Sequence, residues 1–142
     1  MPVRPEPVFR WTLRVYWEDT DSGGIVFYAN YLRYFERART EWLRAQGHAQ
    51  ERLREEARIV FVVSESGVRY LRPARLDDVL EITVAVRRAG PASLQLVQEA
   101  WRTDAGGRRD ERLAEAHFRI GCVELGTYRP VRIPNEILQS IR

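Results

Sequence analysis

Only one long stretch of this chain has helical periodicity, and segments with strand periodicity lie on both sides of it. From Ala29 to Gln46, Tyr31, Phe35, Ala38, Trp42 and Ala45 recur at steps of three and four, while Arg33, Glu36, Arg37, Arg39 and Arg44 fall mostly elsewhere. That spacing predicts an amphipathic helix of about four to five turns. Asn30 is the expected N-cap and Gly47 the expected C′ stop. Before it, over residues 10–17, Trp11, Leu13, Val15 and Trp17 alternate with Thr12, Arg14 and Tyr16. After a charged, helical turn at 49–57 come further strands: Ile59 to about Tyr70, then Leu80, Ile82, Val84 and Val86 alternating with polar residues. Ser93 to Arg102 follows, with the apolar face expected to switch near Val97 at a bulge. Ala114, Ala116, Phe118, Ile120 and Cys122 make the last alternation. Gly90-Pro91 and Asp104-Ala105-Gly106-Gly107 punctuate these runs as turns. Strands joined by hairpins pair antiparallel and present one apolar face, and a single long helix needs one such face to cover it. The expected class is therefore α+β, with one antiparallel sheet against one helix.

Length fits one domain, 1–142, with a Pro-rich lead-in at 1–8 and a tail at 134–142 that opens a short helix at Pro134. At this size folding buries roughly 70% of the unfolded chain's surface. With 30% charged and 44% hydrophobic residues the composition is that of a globular protein. No run of about 18 apolar residues occurs, so no membrane span is expected, and the first residues lack the apolar core of a signal peptide. Cys122 is the single cysteine, which excludes an intramolecular disulfide and a Cys metal cluster and fits a reducing, cytoplasmic setting. Neither His48 nor His117 has metal-ligand spacing, so no metal site is expected, and no G-x-G-x-x-G or P-loop points to a cofactor. Ser64-Glu65-Ser66-Gly67 lacks the first glycine of a serine-hydrolase elbow. The net charge is +3, and the basic residues sit in mixed-sign runs rather than the dense stripe of a nucleic-acid binder. All 23 basic residues are arginine. Base composition or adaptation to heat explains that; arginine also binds phosphate bidentately.

The chemistry concentrates in Glu18–Arg39, EDTDSGGIVFYANYLRYFERAR. Two carboxylates, Asp19 and Asp21, stand where a strand ends and just before a helix N-terminus. An acid or base beside a cluster of backbone N–H donors is a common way to build a hydrolytic site. Taken alone, Asp21 reads as an Asx-turn residue shaping the loop, the usual role of a loop aspartate.

The string closely resembles one family. An aromatic-ending strand, D-x-D, a small residue, two glycines, two apolar residues, an aromatic and then N-Y before a helix are the pattern of the small hotdog-fold acyl-CoA thioesterases. These are of the 4-hydroxybenzoyl-CoA thioesterase type, including the Tol-Pal-associated acyl-CoA thioesterases. Tyr70-Leu71-Arg72-Pro73-Ala74 followed by Asp77-Asp78-Val79-Leu80 is a second match, to the family's entry into its third strand. The resemblance covers nearly the whole chain and implies a hotdog fold, an antiparallel sheet wrapped around a central helix. It implies an acyl-CoA substrate and a homodimer or homotetramer with the site between subunits. It assigns catalysis to Asp21, the second aspartate of D-x-D, and leaves Asp19 to orient the loop.

A thioester carbonyl is electrophilic and its thiolate leaves readily, so hydrolysis needs one base or nucleophile and one oxyanion stabiliser. A carboxylate can attack the carbonyl or deprotonate water, and the sequence leaves both routes open. Backbone N–H groups around Tyr28 to Tyr31, at the positive end of the helix, are the expected stabiliser. Gly23 and Gly24 allow turn dihedrals and a close backbone approach to substrate. Tyr28 stands where the family carries Tyr or His, either as an interface or core aromatic or as a lining of the acyl pocket. Asn30 and Tyr31 read as structural. The resemblance places the coenzyme A phosphates near the turn joining the third and fourth strands, which makes Arg87 and Arg88, ahead of the Gly90-Pro91 turn, the candidate phosphate ligands. They are sparser than the basic cluster of the 4-hydroxybenzoyl-CoA enzyme, which favours a general or short-to-medium acyl group. Two other readings stand beside this one. A non-catalytic hotdog module would have no need of Asp21, and a hotdog hydratase or dehydratase would want a histidine at the loop, where there is none. Trp11, Trp17 and Trp42 read as core, whereas Trp17, Phe27 and Tyr34 are also candidates for an apolar rim covered by a second subunit.

Overall fold

The computed structural model describes residues 4–141, so Met1–Val3 of the lead-in and Arg142 of the tail lie outside the described residues. Strands β1 (Phe9–Arg14), β2 (Ile59–Tyr70), β3 (Val79–Ala89), β4 (Ser93–Thr103) and β5 (Arg109–Glu124) form one antiparallel sheet in the order β1-β3-β4-β5-β2. Helix α1 (Asn30–Ala45) packs on its inner face. A short helix α2 (Gln50–Arg52) runs into a π turn at Leu53–Ala57, and α3 (Asn135–Ile141) closes the chain. This is the α+β hotdog arrangement that the periodicities and the resemblance imply. Among the described residues no helix is long and apolar enough to cross a membrane.

The α1 pattern becomes packing directly. Tyr31, Phe35, Ala38 and Trp42 are buried against Leu80, Ile82, Leu94, Leu96 and Phe118 of the sheet. Burying a side chain the size of Phe35 is worth about 1.5–3 kcal/mol. Two positions differ from the sequence reading: Ala45 is exposed, and Leu43 takes its place in the core. Gly47 stops the helix in the left-handed region at φ +86°. Its N–H donates to Arg44 O and that of His48 to Leu43 O, the paired bonds of a Schellman ending.

Strand β1 ends three residues earlier than expected. Val15 is buried, but the chain then turns through a 3₁₀ turn at Trp17–Asp19 and leaves Trp17 77% exposed, so it is not a core residue. Tyr34 departs the other way: it is 1% exposed, inside the core rather than on the rim.

The expected face switch at Val97 does not occur. Leu94, Leu96, Gln98 and Ala100 all lie buried on the helix side of β4. The pattern looks broken because Gln98, 0% exposed, is polar. Its Nε2 donates to Phe35 O (3.1 Å) and Thr83 O (3.2 Å), and its Oε1 accepts from Arg39 Nη1 (3.0 Å). A buried amide so satisfied is tolerable in a core. The bulge lies instead in the facing strand, between Val86 and Arg88 of β3, opposite Leu96 and Gln95. On the outer face, Glu81 and Glu99 are 8% and 9% exposed. Arg10 and Arg109 pair with Glu81, and Arg4 and Arg112 with Glu99. Part of the arginine content therefore neutralises carboxylates set into the sheet, where an unpaired charge would be costly.

Candidate active site

Two loops meet at the N-terminus of α1. The first, residues 15–29, carries the D-x-D motif. The second, 71–78, carries the other motif. Val26 N–H donates to Ala74 O (2.9 Å) and Leu76 N–H to Gly24 O (3.3 Å), and Ile25 bridges to Arg75. Arg102 holds the second loop from behind, with Nε on Asp78 Oδ2 (3.0 Å) and Nη2 on Pro73 O (2.7 Å). The N-Y dipeptide clamps both. Asn30 Nδ2 donates to Asp19 O (2.8 Å), and the Tyr31 hydroxyl accepts from Ala74 N–H (3.0 Å). Both residues are structural, as read from the sequence. Asn30 does its work as the first helical residue, however, and the N-cap position is Ala29.

Asp19 turns its carboxylate back on the loop: Oδ2 accepts from Tyr16 N–H (2.9 Å). That is the orienting part expected of it. Asp21 is exposed. Its Oδ1 accepts from Gly23 N–H (2.8 Å), an Asx-turn bond, and Oδ2 has no hydrogen-bond partner among the described residues. The backbone fixes the residue further, since Asp21 N–H donates to Ile25 O (2.9 Å) and Asp21 O accepts from Gly24 N–H (3.1 Å). One carboxylate oxygen is thus tethered and the other faces outward.

The two glycines do separate work. Gly24 has φ +78°, which a residue with a side chain rarely adopts. A Cβ on Gly23 would lie 3.2 Å from Asp21 Oδ1, so this glycine clears room for the carboxylate itself. At the helix start, Asn30 and Tyr31 N–H donate back to Phe27 O (2.8 Å) and Tyr28 O (3.4 Å). The Tyr28 and Ala29 N–H groups have no hydrogen-bond partner among the described residues. The expected span of donors narrows to those two. Tyr28 itself is exposed, and its carbonyl accepts the Tyr70 hydroxyl (3.1 Å) while the two rings meet edge to face at 6.1 Å. Tyr70, the first residue of the second motif, thus ties β2 to the start of α1 through a contact that no local pattern signals. Burial pushes its phenol up from the usual range. Below the loop, the Tyr34 hydroxyl has no hydrogen-bond partner among the described residues; burial, reinforced by the Asp19 carboxylate, raises its pKa.

Arg87 and Arg88 lie far along β3 from this loop, exposed, at the bulge. Arg88 borders a shallow recess of about 200 Å³ with Gly90, Pro91, Ser93, Gln95 and Arg119, and Arg87 borders the adjoining one with Gln95 and Arg119. Arg119 is a third arginine that strand periodicity alone did not bring here. The β4–β5 register does so, by pairing it with Gln95.

A five-stranded antiparallel sheet wrapped over one long helix is the hotdog arrangement of the thioesterases. Residues 15–141 match the model of the thioesterase-like superfamily, and the chain belongs to that family. It is 39% identical over 129 residues to a Haemophilus influenzae protein named acyl-CoA thioesterase YbgC, covering 91% of this chain and 90% of that one. It is 38% identical over 135 residues to the acyl-CoA thioester hydrolase YbgC of Escherichia coli, covering 95% and 96%. Among solved structures, a 4-hydroxybenzoyl-CoA thioesterase bound to 4-hydroxybenzoyl-CoA superposes with a TM-score of 0.84 over 94% of this chain and 97% of that one. At 20% identity that likeness concerns the fold alone.

Proposed function

We propose that the chain hydrolyses acyl-CoA thioesters to the free acid and coenzyme A. The observation that carries this is Asp21. Its carboxylate is tethered by one oxygen and open at the other, in a loop pinned beside the unpaired Tyr28 and Ala29 N–H groups. Those N–H groups polarise the thioester carbonyl, with the α1 dipole behind them. The open oxygen of Asp21 then attacks the carbonyl carbon or takes a proton from the attacking water, and the coenzyme A thiolate leaves. The relatives named for acyl-CoA thioester hydrolysis support the reaction class. Arg87 and Arg88, joined by Arg119, are the proposed contacts for the coenzyme A phosphates, and the substrate is a general or short-to-medium acyl group. The chain acts as one domain in a reducing, cytoplasmic setting, consistent with its single buried thiol, Cys122.

We also infer that the working unit is at least a homodimer. β2 lies at the sheet edge with Val62 and Val63 exposed, and Trp17, Phe27 and Tyr28 stand out around the helix start. A long unpaired edge beside exposed aromatic side chains is a surface that a second copy covers. Sedimentation should give a dimer or tetramer; a folded monomer of 16.6 kDa at micromolar concentration would sink this.

The direct test of the activity is free-thiol release from a panel of acyl-CoAs, read with a thiol-reactive dye. Release above the uncatalysed rate from at least one member is expected. The Gly23 bond is also what a purely loop-shaping aspartate makes, and it favours a second reading, a non-catalytic module that binds acyl groups or a protein partner. Acyl-CoA binding without any thiol release would select that one.

A further inference from the structure

A cavity of about 110 Å³ opens between α1 and the sheet, two to four turns beyond the helix start. Trp42, Leu43, Phe61, Leu94, Leu96 and Ile120 give it apolar walls. One cation stands in that wall. The Arg39 guanidinium lies over the Phe118 ring, 4.3 Å from its centroid, and among the described residues makes a single hydrogen bond, from Nη1 to Gln98 Oε1. Among the described residues no carboxylate oxygen comes within 4.0 Å of it, although many other arginines of this chain pair with one. Glu36 also borders the cavity, but it is exposed, and its Oε1 accepts the Thr40 hydroxyl. Burial lowers the Arg39 pKa to about 10, so it remains charged at neutral pH.

A guanidinium has five N–H donors in a rigid fork, and a half-buried one with one acceptor among the described residues has donors left for a ligand. An apolar pocket with one such fork in its wall fits an apolar chain that ends in an anion. Resting on the thioesterase reading above, we infer that this cavity receives the far end of the acyl group and that Arg39 binds a terminal carboxylate there. The favoured substrate class is then the ω-carboxyacyl thioester. An apolar cavity of roughly 150 Å³ holds benzene, so this one has room for about four carbons. Arg39 is nine residues from Asn30, about 13 Å along the helix. Helical side chains lean back toward the N-terminus, which shortens that span on the side of the thioester.

The test compares kcat/KM for methyl-ended and carboxyl-ended acyl-CoAs of matched length, from four to eight carbons, in the wild type, Arg39→Met and Arg39→Lys. The wild type should favour the carboxyl-ended member by about tenfold or more at one length at least, the scale of a charge-assisted hydrogen bond. Arg39→Met should erase that preference, mainly through KM, and leave the methyl-ended series within a few-fold, while Arg39→Lys keeps part of it. A wild type that favours methyl-ended chains at every length overturns the inference. So does an Arg39→Met that lowers both series equally, which marks a structural stack on Phe118. If no acyl-CoA is hydrolysed, the proposed function fails, and calorimetric titration with free dicarboxylic and monocarboxylic acids decides the cavity separately. Dicarboxylate binding that Arg39→Met abolishes supports the site, and equal or absent binding of the two acid classes overturns it.

Discussion

The Asp21 loop and the Arg87–Arg88 corner are held in opposite ways. Around Asp21, at least six hydrogen bonds tie a few residues to one another, to the second loop and to α1: Gly23 N–H to the carboxylate, Asp21 to Ile25, Gly24 to Asp21, Phe27 and Asn30 to Asp19 O, and Val26 to Ala74. At the corner, two exposed arginines on a bulged strand have no ion-pair partner among the described residues. A group that must meet a developing charge at one spot gains from rigidity, because pre-set geometry leaves little to reorganise during reaction. A group that gathers a flexible polyanion does not need it, since long-range attraction acts without a fixed pose. Substitutions at the first place should therefore act on turnover and at the second on capture.

The largest effect is expected at Asp21. Asp21→Asn is nearly isosteric, and its amide oxygen still accepts from Gly23 N–H, so the loop and the oligomer survive. Loss of a base or nucleophile typically costs about 10²–10⁴ in rate, roughly 3–5 kcal/mol of transition-state stabilisation. Asp19→Asn keeps an acceptor for Tyr16 N–H and should cost clearly less. Single-turnover hydrolysis, with folding checked by thermal melt, compares the pair. An active Asp21→Asn beside a folded, dead Asp19→Asn would reverse the assignment, and full activity in both would remove the carboxylate mechanism.

Next is Gly23→Ala, which sharpens the claim that rigidity serves the carboxylate. Its Cβ would crowd Asp21 Oδ1 at 3.2 Å, and the tether must give way. A fall in kcat of about tenfold, equivalent to about 1.4 kcal/mol, with little change in KM is expected. A change in KM alone would mean that the tether serves binding. The double variant Arg87→Ala/Arg88→Ala should do the reverse. KM should rise several-fold with kcat held, and the difference should shrink in added salt as screening shortens the reach of the charges. Wild-type affinity for acyl-CoA at low salt would locate the phosphate contacts elsewhere.

The smallest effect is expected just beneath the loop. Tyr34→Phe removes a buried hydroxyl that has no partner among the described residues, so stability should stay level or rise by up to about 1 kcal/mol in a denaturant melt. A loss of 2 kcal/mol or more would show that the hydroxyl is bonded in solution, with Asp19 the first candidate.

Several of these features were legible without coordinates. Periods of 3.6 and 2 residues marked α1 and all five strands, because burying one face of each element demands that spacing locally, though β5 begins at Arg109, five residues before the alternation shows. The D-x-D loop, Gly24 and Gly47 were readable for a similar reason: short-range backbone geometry restricts which residues fit. The misses have a common source. Trp17 and Tyr34 are both aromatic and both sit at apolar positions of a period, yet one is exposed and the other enclosed; periodicity assigns a face and says nothing of where the face ends. Gln98 broke the β4 pattern because its partners, Phe35, Thr83 and Arg39, come from α1 and β3.

By itself, then, the sequence determined the elements, their amphipathic faces and the residue types of the loop, since each follows from neighbours a few positions apart. Only the tertiary structure decided the rest. It paired β1 with β3 across the whole helical segment, docked the 71–78 loop on the Asp21 loop, brought Arg119 to the bulge beside Arg88, and set Arg39, with no ion-pair partner among the described residues, in the wall of a largely apolar cavity. These are contacts between residues distant in the chain. Their energies depend on burial and on which polar groups find partners, and no local pattern encodes either.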